Sequence, residues 1–230
     1  ALGVDAFKML LTHSHKITII AGLIPRSSFE RQLRESGKSG QHALSAVFLD
    51  QPHRRQLELV RLALPDARRV GVLWGPESEA QKTLLAASMA AHDLEIKSET
   101  MGQSGTAFPG LRELLSSVDV LLAVPDSSVF NSATLPSILL SAYRARVPVA
   151  AFSQNYVKAG ALWSLHSTPA QNGAQLGALG RLVLQGGAVP PPQLAQEFTV
   201  TVNDHVARSL GLALDAKTLT EQLRRLEKRP

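Results

Sequence analysis

The chain has 230 residues, of which 44% are hydrophobic, with a formal net charge of +5 and no cysteine. That content supports a packed core and argues against disorder. The missing cysteine excludes disulfides, thiolate metal sites and cysteine nucleophiles. Arg54 and Arg55, Arg68 and Arg69, Arg144 and Arg146, and Arg224 and Arg225 scatter the positive charge along the chain, and no aromatic interleaves with a basic cluster. A nucleic-acid groove combines a concentrated basic face with stacking platforms, so no nucleic-acid partner is expected.

In chain order, residues 1–4 read as the end of a strand and 5–11 as the helix after it. KITIIAGL (16–23) is a buried strand. Ser27 and Glu30 have capping-box spacing, which predicts a helix with Ser27 as N-cap. SGKSGQ (36–41) is a flexible loop. HALSAVFL (42–49) is a strand, and the helix after Asp50-Gln51-Pro52 ends at Pro65. Four further apolar runs follow: RVGVLWG (69–75), LEIKSETM (94–101), VDVLLAVP (118–125) and VPVAAFS (147–153). Helical patterns fill the gaps from near Glu77, Ala107 and Ala133. ALWSLH (161–166) is a short strand. Thr168, Pro169 and Gln171 form a helix start with Thr as N-cap, Pro at N1 and Gln at N3. That helix runs to about Gln185. Pro190, Pro191 and Pro192 make a stiff connector. EFTVTV (197–202) is a strand, Asn203 caps a short helix that stops at Gly211, and 218–228 is a last amphipathic helix.

Strands that alternate with helices imply parallel pairing, and near-continuous apolar strands imply a sheet covered on both faces. The fold class is therefore α/β. No apolar run reaches the ~20 residues of a membrane-spanning helix. The chain opens on Ala1 rather than Met, and an export signal upstream of it is expected.

In such sheets ligands bind outside the carboxyl ends of the strands, which directs attention to four loops. Arg26, Ser27 and Ser28 stand at a helix start, where free N–H groups attract anions, and Arg26 offers a bidentate partner to a carboxylate. Ser27 as a plain cap beside a solvated Arg26 explains the same residues. Asp126, Ser127 and Ser128, with Asn131, follow another strand; Asp126 is placed to hold a ligand ammonium or hydroxyl, or merely to shape a tight turn. Ser78 and Glu77 follow 69–75. Ser153 and Tyr156 follow 147–153, and Tyr156 combines an apolar face with one polar handle. The four loops share a richness in Ser, Asp, Asn and Gln.

His13 and His15 make a weak metal pair, better read as a solvated turn, and no metal or cofactor is expected. Gly173, Gly177 and Gly180 lie inside a predicted helix and suggest close helix packing rather than a dinucleotide fingerprint. No nucleophile elbow, phosphate loop or H-E-x-x-H is present.

The segments LSAVFLDQPHRRQLELVRLALPDARRVGVLWGP (44–76), VDVLLAVPDSSVFN (118–131), VPVAAFSQNYVKAGALWSL (147–165) and FTVTVNDHVARSLGLAL (198–214) carry a resemblance. The chain resembles the ABC-transporter substrate-binding proteins of the tryptophan/tyrosine-binding type. The resemblance implies a type 1 periplasmic-binding fold: two α/β lobes with parallel sheets and helices on both faces, closing by a hinge on a small ligand in the interlobe cleft. The lobes would be 1–45 plus 167–192, incomplete at its N-terminus, and 46–166 plus 193–230. It also implies a periplasmic location, a membrane permease as partner, and no enzymatic activity. Carried over by position, the ligand loops fall on 25–28, 75–78, 125–128 and 153–156. For an amino-acid ligand, Arg26 and the Ser27 helix start would take the carboxylate and Asp126 the ammonium. Tyr156, Phe130 and Trp74 are the aromatics nearby. Two other readings stand beside this one: a ligand-binding sensor domain, and a two-lobed transferase using Asp126 or Asp50 as general base.

Overall fold

The structure is a computed structural model and describes residues 1–12, 16–37, 42–101 and 110–228. His13 and His15, most of the loop expected at 36–41, and the helix start near Ala107 lie outside the described residues. The chain divides into two compact units, Ala1–Pro52 with His166–Phe198, and His53–Leu165 with Thr199–Pro230.

The first unit is built on two parallel strands, β1 (Thr18–Ile24) and β2 (Ala43–Phe48), with helices α1 (Val4–Leu11), α2 (Arg26–Ser36) and α8 (Pro169–Leu184). Register runs from Thr18 opposite Ala43 to Ile24 opposite Phe48, with an irregularity between Gly22 and Ile24. α1 buries Phe7 and Leu11, four residues apart and so on one face. Phe7 stacks on Phe29 at 4.6 Å, and Phe29 meets the edge of Phe48 at 5.4 Å. Ile19, Ala21, Ile24 and Ala46 complete this core. Because β2 pairs with β1 along its whole length, the chain leaves this unit after Pro52 and not within the strand at 45/46. Likewise Gln193 bridges to Val47, and the Ala195 N–H donates to the Asp50 carbonyl, which keeps 193–198 in the first unit.

α8 begins as its sequence predicts. Thr168 accepts the Gln171 N–H and the Gln171 side chain accepts the Thr168 N–H. The close packing expected at Gly173, Gly177 and Gly180 is not there. A Cβ at Gly173 or Gly180 would meet nothing within 4 Å, and one at Gly177 would meet only Arg181, at 3.6 Å. The close approach is made instead by the strand: a Cβ on Gly22 would stand 2.0 Å from Leu176 Cδ1.

The second unit is a six-stranded sheet in the order β4-β3-β5-β6-β7-β8. The strands are β3 (Arg69–Trp74), β4 (Glu95–Thr100), β5 (Val120–Leu122), β6 (Val149–Ala151), β7 (Trp163–His166) and β8 (Thr199–Val202). The pairs β3–β4, β3–β5, β5–β6 and β6–β7 are parallel. Helices α3 (His53–Ala63), α4 (Lys82–Ala90), α5 (Leu111–Ser116), α6 (Leu135–Arg144), α7 (Gln154–Ala159), α9 (Asp204–Ser209) and α10 (Ala216–Glu227) belong to this unit. The edge strand β4 has no fully buried residue and carries Glu95, Lys97 and Glu99, the kind of charge that discourages edge-to-edge pairing. The interior strands β5 and β6 are buried at every residue. Trp74 and Trp163 are among the largest fully buried side chains, and full burial of a large apolar side chain contributes about 2–3 kcal/mol.

The strand order has one consequence for function. From β3 the chain first steps outward to β4, then returns to the other side of β3 for β5, and from there continues in one direction to β8. The reversal makes the carboxyl ends of β3 and β5 a topological switch point, where open α/β sheets place their ligands.

Candidate functional site

The loops after β3 and β5 meet at this switch point and are tied to each other by two carboxylates. Asp126 is 3% exposed. Its Oδ2 accepts the N–H groups of Glu77 at 3.0 Å and Ser78 at 2.9 Å, and the Ser78 hydroxyl at 2.8 Å. Its Oδ1 accepts the Ser128 N–H at 2.9 Å. Glu77 returns the favour across the loops: its carboxylate accepts the Ser127 N–H at 3.0 Å and the Ser127 hydroxyl at 2.7 Å. Ser78 is fully buried, and its hydroxyl oxygen also accepts the Gly75 N–H at 3.1 Å. Gly75 is where backbone and carboxylate come together. A Cβ there would lie 2.6 Å from both Asp126 Oδ2 and Val129 Cγ2.

Asn131 closes the second loop from below. Its Nδ2 donates to the Ser127 and Ser128 carbonyls, at 3.0 and 3.1 Å, and its Oδ1 accepts the Ala133 N–H at 2.9 Å. The residues that the rim leaves exposed are Pro76 and Ser127. The adjacent loop after β6 begins at Ser153, whose hydroxyl caps α7 by accepting the Asn155 N–H at 3.3 Å. Gln154 and Asn155 there are exposed. Tyr156 donates its hydroxyl to the Phe130 carbonyl at 3.0 Å and packs with Phe130 and Phe152 in an aromatic trio. Burial raises the Tyr156 phenol above its ordinary pKa.

The sequence therefore locates the loops and misjudges some of their side chains. Asp126 and Ser78 are inside the rim, with the Asp126 oxygens engaged by four donors of their own unit; Asp126 is a loop-shaping residue here, not an open acceptor. The Tyr156 handle is already bonded. Trp74 and Phe130 are core residues, 0% and 5% exposed.

In the first unit, α2 starts two residues earlier than expected. Pro25, at φ −65°, ψ 146°, is the N-cap and makes no side-chain cap bond. The acceptor comes from 24 residues away: Asp50 Oδ2 receives the Arg26 N–H at 2.7 Å. Ser27 is thus within the helix, 6% exposed, and its hydroxyl has no hydrogen-bond partner among the described residues. Ser28 is equally buried. Arg26 pairs with Glu30 one turn on, at 2.7 Å, and both side chains are substantially exposed. Burial raises the Asp50 carboxyl above its ordinary pKa, partly offset by the Arg26 N–H. A cavity of about 270 Å³ adjoins this helix start, lined by Arg26, Phe29, Glu30, Phe48, Pro192 and Leu194.

Among the described residues no group of three or more His, Cys, Asp or Glu side chains is placed to hold a metal ion. No helix among them is long and apolar enough to cross a membrane.

The parallel sheet thus carries a polar, internally braced rim at its switch point, and comparison with known proteins places the chain in a family. The family model for the ABC transporter substrate binding protein matches residues 38–224. The chain belongs to this family. Among relatives of the substrate-binding family, it is 23% identical over 163 residues to the Tyrosine-binding protein of Clostridioides difficile (strain R20291), covering 69% of this chain and 47% of that protein. The chain thus spans about half the length of the curated relative it matches. Solved structures share the fold. The ABC domain in complex with L-Trp from Streptococcus pneumonia aligns with a TM-score of 0.66 at 17% identity, over 96% of this chain and 75% of that one. The ligand-free, open structure of a substrate binding protein with adhesive properties from Clostridium difficile aligns at 0.67 and 18%, over 94% and 74%.

Proposed function

We propose that this chain is the solute-binding component of an ABC importer, working outside the cytoplasm, without enzymatic activity of its own, and delivering a small ligand to a membrane permease. The observation that carries the reading is the rim at the β3/β5 switch point, in a chain of the substrate-binding family. A pre-shaped polar rim recognises ligand groups by fixed hydrogen bonds at low ordering cost. In this reading Asp126, Glu77 and Ser78 hold the rim in shape. Ser127, Ser128, Ser153, Gln154 and Asn155 face the ligand from the second unit, beside the aromatic body of Tyr156. In the first unit, taken by itself, Arg26, Ser27 and Ser28 at the start of α2 are the candidate ligand residues, and of the three only the Arg26 side chain is open to solvent.

An amino-acid-like ligand, aromatic ones first, is the class to test. Two relatives bear names that mention tyrosine or L-Trp. A thermal-shift series with L-tyrosine, L-tryptophan, other amino acids, nucleosides, sugars and small carboxylates decides the matter. Ligand at about a hundred times its Kd adds about 2.7 kcal/mol of stability. A saturable shift with one compound class and no turnover of that compound supports the reading. Conversion of the compound, or no shift across the series, overturns it.

A further inference from the structure

The second unit carries an apolar groove apart from its rim. Leu139 and Tyr143 of α6, Val147 and Val149 at the entry to β6, and Val206 and Leu210 of α9 line it. The groove lies where β6 begins, whereas Ser153 and its loop follow the other end of that strand. Its volume is about 10 Å³, against about 270 Å³ for the cavity beside α2. That leaves room for no more than about one water molecule, so it is not a solute site. Large apolar side chains nevertheless stand open beside it. Leu140 is 50% and Tyr143 55% exposed, and their spacing of three puts them on one face of α6.

Positive charge that is scattered in sequence gathers around this groove. Arg144 follows Tyr143, Arg146 precedes Val147, Lys158 stands two residues before the lining Gly160, and Arg208 lies between Val206 and Leu210. All four are exposed. The lining has no carboxylate, and in 139–149, 156–160 and 203–211 the only acidic residue is Asp204. Arg144, Lys158 and Arg208 sit in the last turns of their helices, where cations suit the helix dipole. The dipole does not account for Arg146, which lies beyond α6, nor for the exposed Leu140 and Tyr143. Arg146 has φ 57° and donates its N–H to the Tyr143 carbonyl at 3.0 Å, while the Val147 N–H reaches the Ala142 carbonyl at 2.9 Å. That closing turn is left-handed, and glycine is the residue that fits it without strain.

We infer that this face seats the second unit on a bilayer surface carrying anionic phospholipid. A shallow groove offers no deep pocket to a side-chain anchor, but a soft boundary between headgroups and acyl chains needs none. Tyrosine settles at such a boundary with its ring toward the apolar side. Leu140 adds apolar area, and the four cations meet the phosphates. The contact lies apart from the rim after β3 and β5, and it does not depend on which solute is bound.

The test is co-sedimentation of the full chain with vesicles, either phosphatidylcholine alone or equal parts phosphatidylcholine and phosphatidylglycerol. The parent should bind the mixed vesicles, bind the neutral ones far less, and release as salt is raised. Arg146→Gly removes one cation where glycine is the less strained residue, so its fold is not put at risk. It and Arg144→Gln should each weaken binding about fivefold. Tyr143→Ser and Leu140→Ser should weaken it as well. Arg181→Gln, which removes the same charge from α8 in the first unit, should leave it unchanged. That pattern supports the assignment. Absence of binding to the mixed vesicles overturns it, and so does an equal loss in Arg181→Gln, which would mean attraction by net charge alone. Soluble polyglutamate bound as tightly as the mixed vesicles, with no effect of Tyr143→Ser or Leu140→Ser, would also overturn it in favour of an acidic polypeptide.

Discussion

Ser78 donates its hydroxyl to the Asp126 carboxylate at 2.8 Å, joining two loops whose residues are 48 positions apart in sequence. The two residues are buried together, and the backbone N–H of Ser78 reaches the same oxygen at 2.9 Å. Asp126 is therefore a cap shared by two loops. Asp126→Ala leaves the N–H groups of Glu77, Ser78 and Ser128 without their acceptor, and should destabilise the fold by on the order of 3 kcal/mol. Asp126→Asn keeps one acceptor oxygen but turns an amide donor toward other donors, so it should lie between the parent and Asp126→Ala. Urea unfolding midpoints check the order. An Asp126→Ala variant as stable as the parent would remove the rim's structural basis.

Local signals in this chain were legible, and distant partners were not. Thr168, Pro169 and Gln171 act on one another within a single turn, as does Asn203, which accepts the N–H groups of His205 and Val206, so both helix starts follow from spacing alone. Ser27 had the same kind of spacing to Glu30, yet the α2 start goes to Asp50, a carboxylate that sequence spacing does not connect to it. Asp215 caps α10 by accepting the Thr218 N–H, three residues before the amphipathic pattern becomes clear in the sequence. The run 118–125 looks like an eight-residue strand, but only Val120–Leu122 is strand, since the chain turns off into the rim at Pro125. At the candidate site the same division holds. The loops were found because strand ends can be read from apolar runs; the inward direction of Ser78 and Asp126 depends on the neighbouring strand.

Gly22 and Leu176 give a test of the packing between β1 and α8. A Cβ on Gly22 would sit 2.0 Å from Leu176 Cδ1, the far end of a flexible side chain. Gly22→Ala should cost about 1–3 kcal/mol through forced repacking. Leu176→Ala vacates the space at its own cost, so the double variant should be more stable than the sum of the two single losses predicts. A double-mutant cycle by thermal or urea unfolding measures that coupling. Additive losses would show that the two positions do not compete for the same volume.

Asp119 should contribute to the loss of stability in acid. Burial pushes its carboxyl up, but the Arg69 side chain and the N–H groups of Arg68 and Arg69 outweigh it, and the pKa falls from 3.8 to about 2. The pairing distances are 2.6 Å to Arg69 Nη2 and 2.9 and 2.8 Å to the two backbone N–H groups. A depressed folded pKa contributes stability that is present above the unfolded value and lost as pH falls through the folded one. The gap between the parent and Asp119→Asn should therefore be full at neutral pH and close between about pH 4 and pH 2. Arg69 is about half exposed, so added salt should reduce the gap. Unfolding midpoints for both proteins across that range measure it; a gap that stays constant down to the acid end contradicts the assignment.

Asp50 should behave in the opposite sense. Burial raises its carboxyl pKa above 3.8, with the Arg26 N–H only partly opposing. The folded state then holds the proton more tightly than the unfolded chain does. Its contribution is most favourable at acid pH and declines as pH rises from about 4 through the raised folded value. Asp50→Asn cannot ionise, yet its side-chain carbonyl still accepts the Arg26 N–H at the start of α2. It should match the parent at acid pH and equal or exceed it at neutral pH, so that the two curves separate as the parent's carboxyl ionises. A variant clearly less stable than the parent at neutral pH would mean that the negative charge itself, acting on the dipole of α2, outweighs the cost of burying it.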